Sequence, residues 1–261
     1  MNDREYEIMF RREDTYWWYR GMRAVTRAFA PVVFARERGG RALDAGCGTG
    51  RNLVDLASGG PAVGLDVSLR ALGFARRRGA APLVCASVEA LPFRDAAFAA
   101  ALSRDVLYMV PDDARAAREM ARVLSPGGTL ALSAPAFDAL AGAHDVAVGG
   151  LRRYTAPQLK RLLEEAGLAV RRTSYANFFL AAPIFFLRKA TGAMARGRPR
   201  EDVRSDFGLA PGPFEDILFG LLSLEARLLE AGVNLPLGVS AHVLAGKLGQ
   251  GAGAGTSEEA K

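Results

Sequence analysis

The sequence predicts an α/β protein built on a doubly wound parallel sheet with helices on both faces. Short apolar runs alternate with helical patterns along the chain, the signature of that class. A glycine-rich turn, Gly46-Cys47-Gly48-Thr49-Gly50, follows the first clear run, Leu43-Asp44-Ala45. A second run, Val63-Gly64-Leu65-Asp66, ends in an acid about twenty residues after that turn begins. The chain has 261 residues, half of them apolar and 24% charged, enough to bury one large core.

The pattern places strands near 41–45, 62–66, 82–86, 97–103 and 128–134, with helices near 50–58, 69–78 and 112–124 between them. Thr155-Ala156-Pro157-Gln158 is a capping box with proline in the first turn, and Gly167 closes the helix it starts. A sixth strand is expected at about 168–175 and a last one at 238–247. Residues 249–261, rich in Gly, Ala, Ser and Glu, read as a disordered tail.

Two segments lie outside this alternation. Residues 1–38 read as a helical cap containing Tyr16-Trp17-Trp18-Tyr19-Arg20. Adjacent indoles leave a helix in different directions, so they either pack in separate layers or shield a cationic ligand, with Arg20 or Arg23 meeting a carboxylate. Residues 176–236 separate the last two strands, where a hairpin needs only a few residues. Their run from Phe178 to Leu187 is too short for a membrane span and carries Pro183. Phe214, Ile217, Leu218, Leu221, Leu224 and Leu228 then recur at helical spacing. This insertion is either a packed helical pair or a lid for an apolar acceptor, with peripheral membrane contact through 178–200 and Arg188, Lys189, Arg196, Arg198 and Arg200 near anionic head groups.

The chemistry centres on the glycine turn. A chain passing from strand to helix so quickly needs positive φ and close backbone approach, which glycine supplies. Dinucleotide folds carry a third glycine where this chain has Arg51. Asp44, a carboxylate beside free N–H groups, suits an amino-bearing ligand better than a diphosphate. Asp66 stands where an acid accepts ribose hydroxyls.

At these residues the chain resembles the class I S-adenosylmethionine-dependent methyltransferases. LDAGCGTG and GLDVS resemble the family's first motif and its successor. Ser87-Val88-Glu89-Ala90-Leu91-Pro92-Phe93, Ser103-Arg104-Asp105-Val106-Leu107 and the Arg122–Leu130 turn follow in the family's order. The resemblance implies a Rossmann-like, mostly parallel seven-stranded sheet whose antiparallel last strand lies beside the sixth. It implies S-adenosyl-L-methionine as cofactor, held by Asp44, Gly46, Cys47, Gly48, Asp66, Val67, Ser87, Val88 and Ser103, with Arg20 from the cap. His144-Asp145, Arg152-Arg153-Tyr154-Thr155, Tyr175-Ala176-Asn177 and the paired tryptophans are similar to bacterial type-11-like members. The chain departs from that pattern with Gly150 for a second histidine, Leu107-Tyr108-Met109 for Leu-Glu-His, and Ser87 for an adenine-contacting acid.

A methyltransferase of this kind works by in-line attack on the methyl carbon, with positioning supplying most of the acceleration. His144, at the carboxyl edge of the sheet beside Asp145, is the first candidate base, followed by Asp105 and Tyr154. His242, in the last strand, reads as a core histidine. The expected acceptor is a small molecule, glycan or lipid-linked group. Nucleic acid is disfavoured, because no Asn- or Asp-Pro-Pro-aromatic run follows the fourth strand and the arginines behind the +6 charge are scattered. Arg51 disfavours a nicotinamide enzyme. A non-catalytic cofactor-binding subunit is the alternative. Cys47 and Cys85 show no disulfide, zinc or redox spacing, and the charged start lacks a signal core, so a cytoplasmic setting is expected, with membrane association through the insertion.

Overall fold

The computed structural model describes residues 3–36, 39–79, 82–195 and 212–249. Seven strands form one sheet in the order β3-β2-β1-β4-β5-β7-β6. They are β1 (Ala42–Ala45), β2 (Ala62–Asp66), β3 (Leu83–Cys85), β4 (Phe98–Arg104), β5 (Leu124–Pro135), β6 (Leu168–Ala176) and β7 (Ser240–Lys247). The first five pair in parallel, and β7 runs antiparallel between β5 and β6, as the resemblance implies. β1 and β2 are buried throughout, so apart from Asp44 and Asp66 they read as apolar runs rather than alternating ones. The chain leaves β1 toward β2 on one side and returns to β4 on the other. That reversal opens a crevice at the carboxyl ends of β1 and β4.

Ten helices are described: α1 (Asp3–Arg12), α2 (Trp17–Phe29), α3 (Pro31–Ala35), α4 (Arg51–Ala57), α5 (Leu69–Arg77), α6 (Asp113–Val123), α7 (Ala143–Val148), α8 (Ala156–Glu165), α9 (Phe178–Ala195) and α10 (Glu215–Glu230). Met120, Leu159 and Leu163 pack α6 and α8 on one face of the sheet. Met22, Val25, Phe29, Leu53, Leu56 and Leu229 bring α2, α4 and α10 onto the other. The Thr155 capping box forms as expected, with Thr155 N–H donating to Gln158 Oε1 at 2.7 Å. Lys247 Nζ donates to the carbonyls of Ala121 and Leu124 at the end of α6, fastening β7 to that layer.

The strand expected at 128–134 starts earlier, at Leu124, because Leu124 already pairs with Phe98 before a shift in register. The insertion forms α9 and α10, and α10 lies along α2. A Cβ on Gly21 would stand 2.2 Å from Leu222 Cδ1, so only glycine permits this approach. Tyr16 and Trp17 pack against Leu180 and Leu222, and Trp18 also packs against the cluster of Leu140, Ala181 and Val239. The two indoles therefore join the helical layer. No helix among the described residues is long and apolar enough to cross a membrane. The expected tail beyond Gly249 lies outside the described residues, as do Arg196, Arg198 and Arg200; the side chains of His144, Arg188 and Lys189 lie outside them too.

Candidate active site

The glycine turn is built onto two strands at once. The N–H groups of Gly46 and Cys47 both donate to the Leu65 carbonyl at 2.8 Å, so the turn is tied to β2. Gly46 has φ 89°, and a Cβ there would stand 2.2 Å from Val106 Cγ2. Conformation and space both demand glycine at this position. Ser103 donates to the Ala45 carbonyl at 3.1 Å and locks the end of β4 to the same turn.

Asp44 is 1% exposed, and its Oδ2 has no hydrogen-bond partner. Burial pushes its carboxyl up to about 7, against the opposing pull of Arg104. Asp66 accepts from Gly48 N–H and Ser68 N–H, both at 2.9 Å, with Val67 N–H also directed at it, and the carboxylate keeps acceptor capacity for a further donor. Burial raises this carboxyl as well. Val67 beside it is 72% exposed. Ser87 accepts from Glu89 N–H, and Val88 is buried. Burial pushes the Cys47 thiol up, out of the nucleophilic range. The structure thus lines up Asp44, Gly46, Cys47, Gly48, Asp66, Val67, Ser87 and Val88 along the carboxyl ends of β1, β2 and β3.

The turn is covered from above by a strap, α1 and the residues just after it. Thr49 donates its hydroxyl to Glu13, and Arg78 donates to Glu13 at 2.9 Å and Asp14 at 2.7 Å. Arg51, standing in place of the third glycine, pairs with Asp14 at 2.8 Å. Met9 Sδ lies 3.7 Å from where a Cβ on Gly48 would be. The cap therefore covers the turn through α1 rather than through the indoles. Arg20, expected to face a cofactor carboxylate, instead lies over the Phe219 ring at 4.0 Å.

The three candidate bases differ in circumstance. Asp105 follows β4 with φ 53°, 39% of its side chain exposed, and Ser133 donating to it at 3.5 Å. His144 lies in α7, but the neighbouring Asp145 is occupied by Arg153, whose Nε and Nη2 each donate to it at 2.9 Å. Tyr154 is buried and donates to Asp113 at 2.6 Å; burial and that partner raise its phenol. His242 is a core histidine, as read, with Phe29 against its ring. Gly150, where the type-11 pattern has histidine, packs against Tyr108, and a Cβ there would stand 2.9 Å from its ring.

Sequence reasoning missed Arg104 and Glu13. Arg104 was visible in principle: Asp44 pairs with Leu102, so Arg104, two residues on, shares the face of Asp44. Glu13 had no local signal, because its partners lie far along the chain.

The site fits an adenosyl amino acid. Asp66 has acceptor capacity left for ribose hydroxyls, and the partnerless oxygen of Asp44 awaits a donor. Residues 43–132 match the family described as a methyltransferase domain. An uncharacterized protein of Mycobacterium tuberculosis is 39% identical over 147 residues, 53% of this chain and 48% of that protein. A demethylmenaquinone methyltransferase of Roseiflexus castenholzii is 43% identical over 118 residues, covering 43% of this chain and 48% of its own. This chain thus spans about half the length of these curated relatives. Among solved structures, a putative sarcosine dimethylglycine methyltransferase from Galdieria sulphuraria has a TM-score of 0.55 at 17% identity, over 87% of this chain and 86% of that one. The [4+2]-cyclase SpnF has a TM-score of 0.54 at 24% identity, over 86% and 80%. At these identities the solved structures establish the fold alone. Residues 43–132 of the chain thus match a methyltransferase domain, carried on a seven-stranded sheet with the Rossmann-like fold of solved methyltransferase structures.

Proposed function

We propose that the protein transfers a methyl group from S-adenosylmethionine to an oxygen or nitrogen of a small-molecule, glycan or lipid-linked acceptor. The observation that carries this reading is the buried, partnerless Asp44 oxygen beside the glycine turn, one strand from Asp66. In this reading Asp44 takes the cofactor's amino group, Asp66 the ribose, and Val67, Ser87 and Val88 flank the adenine. Gly46, Cys47 and Gly48 give close backbone approach, and Ser103 holds the turn in place. The bound cofactor supplies an electrophilic methyl with a good leaving group. The protein then contributes alignment and exclusion of water, the latter through the strap.

Asp105 and His144 remain the base candidates. Tyr154, whose proton is directed at Asp113, is assigned instead to anchoring the segment after α7. A lipid-linked acceptor draws support from the exposed Phe186, Phe214, Ile217 and Leu224 on α9 and α10 and the residue just before α10. Cosedimentation with anionic vesicles checks this; protein left wholly in the supernatant removes the lipid reading.

The test of function is calorimetry with S-adenosylmethionine, S-adenosylhomocysteine and NAD, followed by an acceptor screen with labelled methyl donor. Binding of the first two with transfer to an acceptor supports the enzyme. Binding without transfer to any acceptor supports the second reading, a non-catalytic cofactor-binding subunit. That reading draws on the fold's occurrence in a [4+2]-cyclase, SpnF.

A further inference from the structure

We propose that Arg104 binds the carboxylate of the cofactor's amino-acid end, forming with Asp44 a two-charge clamp for the zwitterion. The inference rests on the methyltransferase reading above and deepens it.

The two side chains share a location. Asp44 of β1 pairs in register with Leu102 of β4, and Arg104 lies two residues farther along on the same face. Both stand at the crevice where the chain reverses direction across the sheet. The glycine turn lies directly after β1, so a ligand resting on the turn has Asp44 and Arg104 beneath it.

They also share a deficit. The Arg104 side chain is 12% exposed, and its Nε has no hydrogen-bond partner. Its remaining contacts are slack: Asn52 Oδ1 at 3.3 Å and Asp105 Oδ2 at 3.9 Å. A guanidinium this far out of water is ordinarily held by a close, forked carboxylate. Here the fork is unfilled, and so is Asp44 Oδ2 next to it. The charge of Arg104 reaches Asp44 through space, opposing the effect of burial on that carboxyl. Two partly unsatisfied groups of opposite sign, side by side, match a ligand carrying an amine and a carboxylate on one carbon.

Other arginines near the turn are engaged elsewhere. Arg20 lies on Phe219, Arg23 donates to the Glu13 carbonyl and faces Asp55, and Arg51 and Arg78 hold the strap. The groups facing Arg104 from its surroundings are Asn52, Asp105, Asp44, Tyr19 and His242.

Calorimetry with three ligands tests the clamp: S-adenosylhomocysteine, its methyl ester, and 5′-methylthioadenosine, which lacks the amino-acid end. Arg104→Met is expected to weaken S-adenosylhomocysteine roughly 10- to 100-fold while leaving methylthioadenosine unchanged, with Arg104→Lys in between. In the wild type the methyl ester is expected to bind as weakly as S-adenosylhomocysteine binds Arg104→Met, and to lose nothing further in that variant. Equal loss for all ligands in Arg104→Met, or none, overturns the clamp. An ester that binds the wild type as well as the free acid does so too, without relying on any variant to fold. A wild type that binds methylthioadenosine but gains nothing from the amino-acid end overturns the clamp and leaves the proposed function standing. Failure to bind any adenosyl ligand overturns both.

Discussion

Asp44 is held near neutral charge by its own burial, with a carboxyl raised to about 7 from an ordinary 3.8. Between those values the folded, ligand-free protein keeps a proton that the unfolded chain has lost. This group's contribution to stability therefore declines as pH rises from about 4 through about 7. An amino group placed on Asp44 favours the carboxylate, so ligand binding near neutral pH is expected to release a proton. Calorimetry of S-adenosylhomocysteine in buffers of different ionisation heat measures that release, which should vanish in Asp44→Asn. Tyr154 makes the opposite kind of case. Tyr154→Phe should cost about 1 kcal/mol of stability and leave turnover within twofold. A collapse of turnover with the fold intact would return Tyr154 to the list of bases. The resemblance to the family motif made Asp44, Gly46 and Asp66 legible as candidate site residues. The roles of Tyr154 and Asp145 were not, because Asp113 and Arg153 complete them only once α6 and α7 are in place.

At the level of elements, the strap is the feature with the most leverage over the cofactor. Arg78, at the end of α5, donates to the Phe10 carbonyl, Glu13, Asp14 and the Thr49 carbonyl, and so joins the strap to the glycine turn. The Arg78 and Glu13 side chains are both nearly buried, a setting in which loss of one partner costs about 3–5 kcal/mol. Arg78→Met is expected to speed hydrogen exchange across residues 5–13 and raise the off-rate of S-adenosylhomocysteine about tenfold or more. Unchanged exchange would show that the strap is held by packing alone. The sequence announced the helices that carry their own end signals, such as α8 with its capping box, and the strands that border glycine turns. The strap had no such signal, because Glu13 meets Thr49 and Arg78 from remote positions in the chain. The partner of α10 was equally hidden: its periodicity marked an apolar face, but only the gap at Gly21 lets α2 approach it.

Across the whole molecule, the second face of the sheet buries a neutral histidine under α2. Burial, reinforced by Arg104, pushes His242 down to about 3 from 6.5. The unfolded chain takes up a proton there first, so this contribution to stability is intact above about 6.5 and is lost as pH falls toward 3. His242→Leu is expected to show a shallower fall in Tm between pH 6.5 and 4.5 than the parent. Comparing the two proteins at each pH removes the opposing trend from Asp44. Identical slopes would mean that another group sets the acid limit.

The close fit of Gly21 under Leu222 also bears on how the molecule is assembled. The two residues are about two hundred positions apart, so the pair is among the slowest contacts to close. During synthesis from the N-terminal end, α2 waits for α10 while β1 through β5 have already emerged. The floor of the crevice, with Asp44 and the glycine turn, and the strap that Thr49 and Arg78 hold over it, therefore emerge before α10. What α10 closes last is the apolar face of α2, which lies bare until Leu222 settles over Gly21.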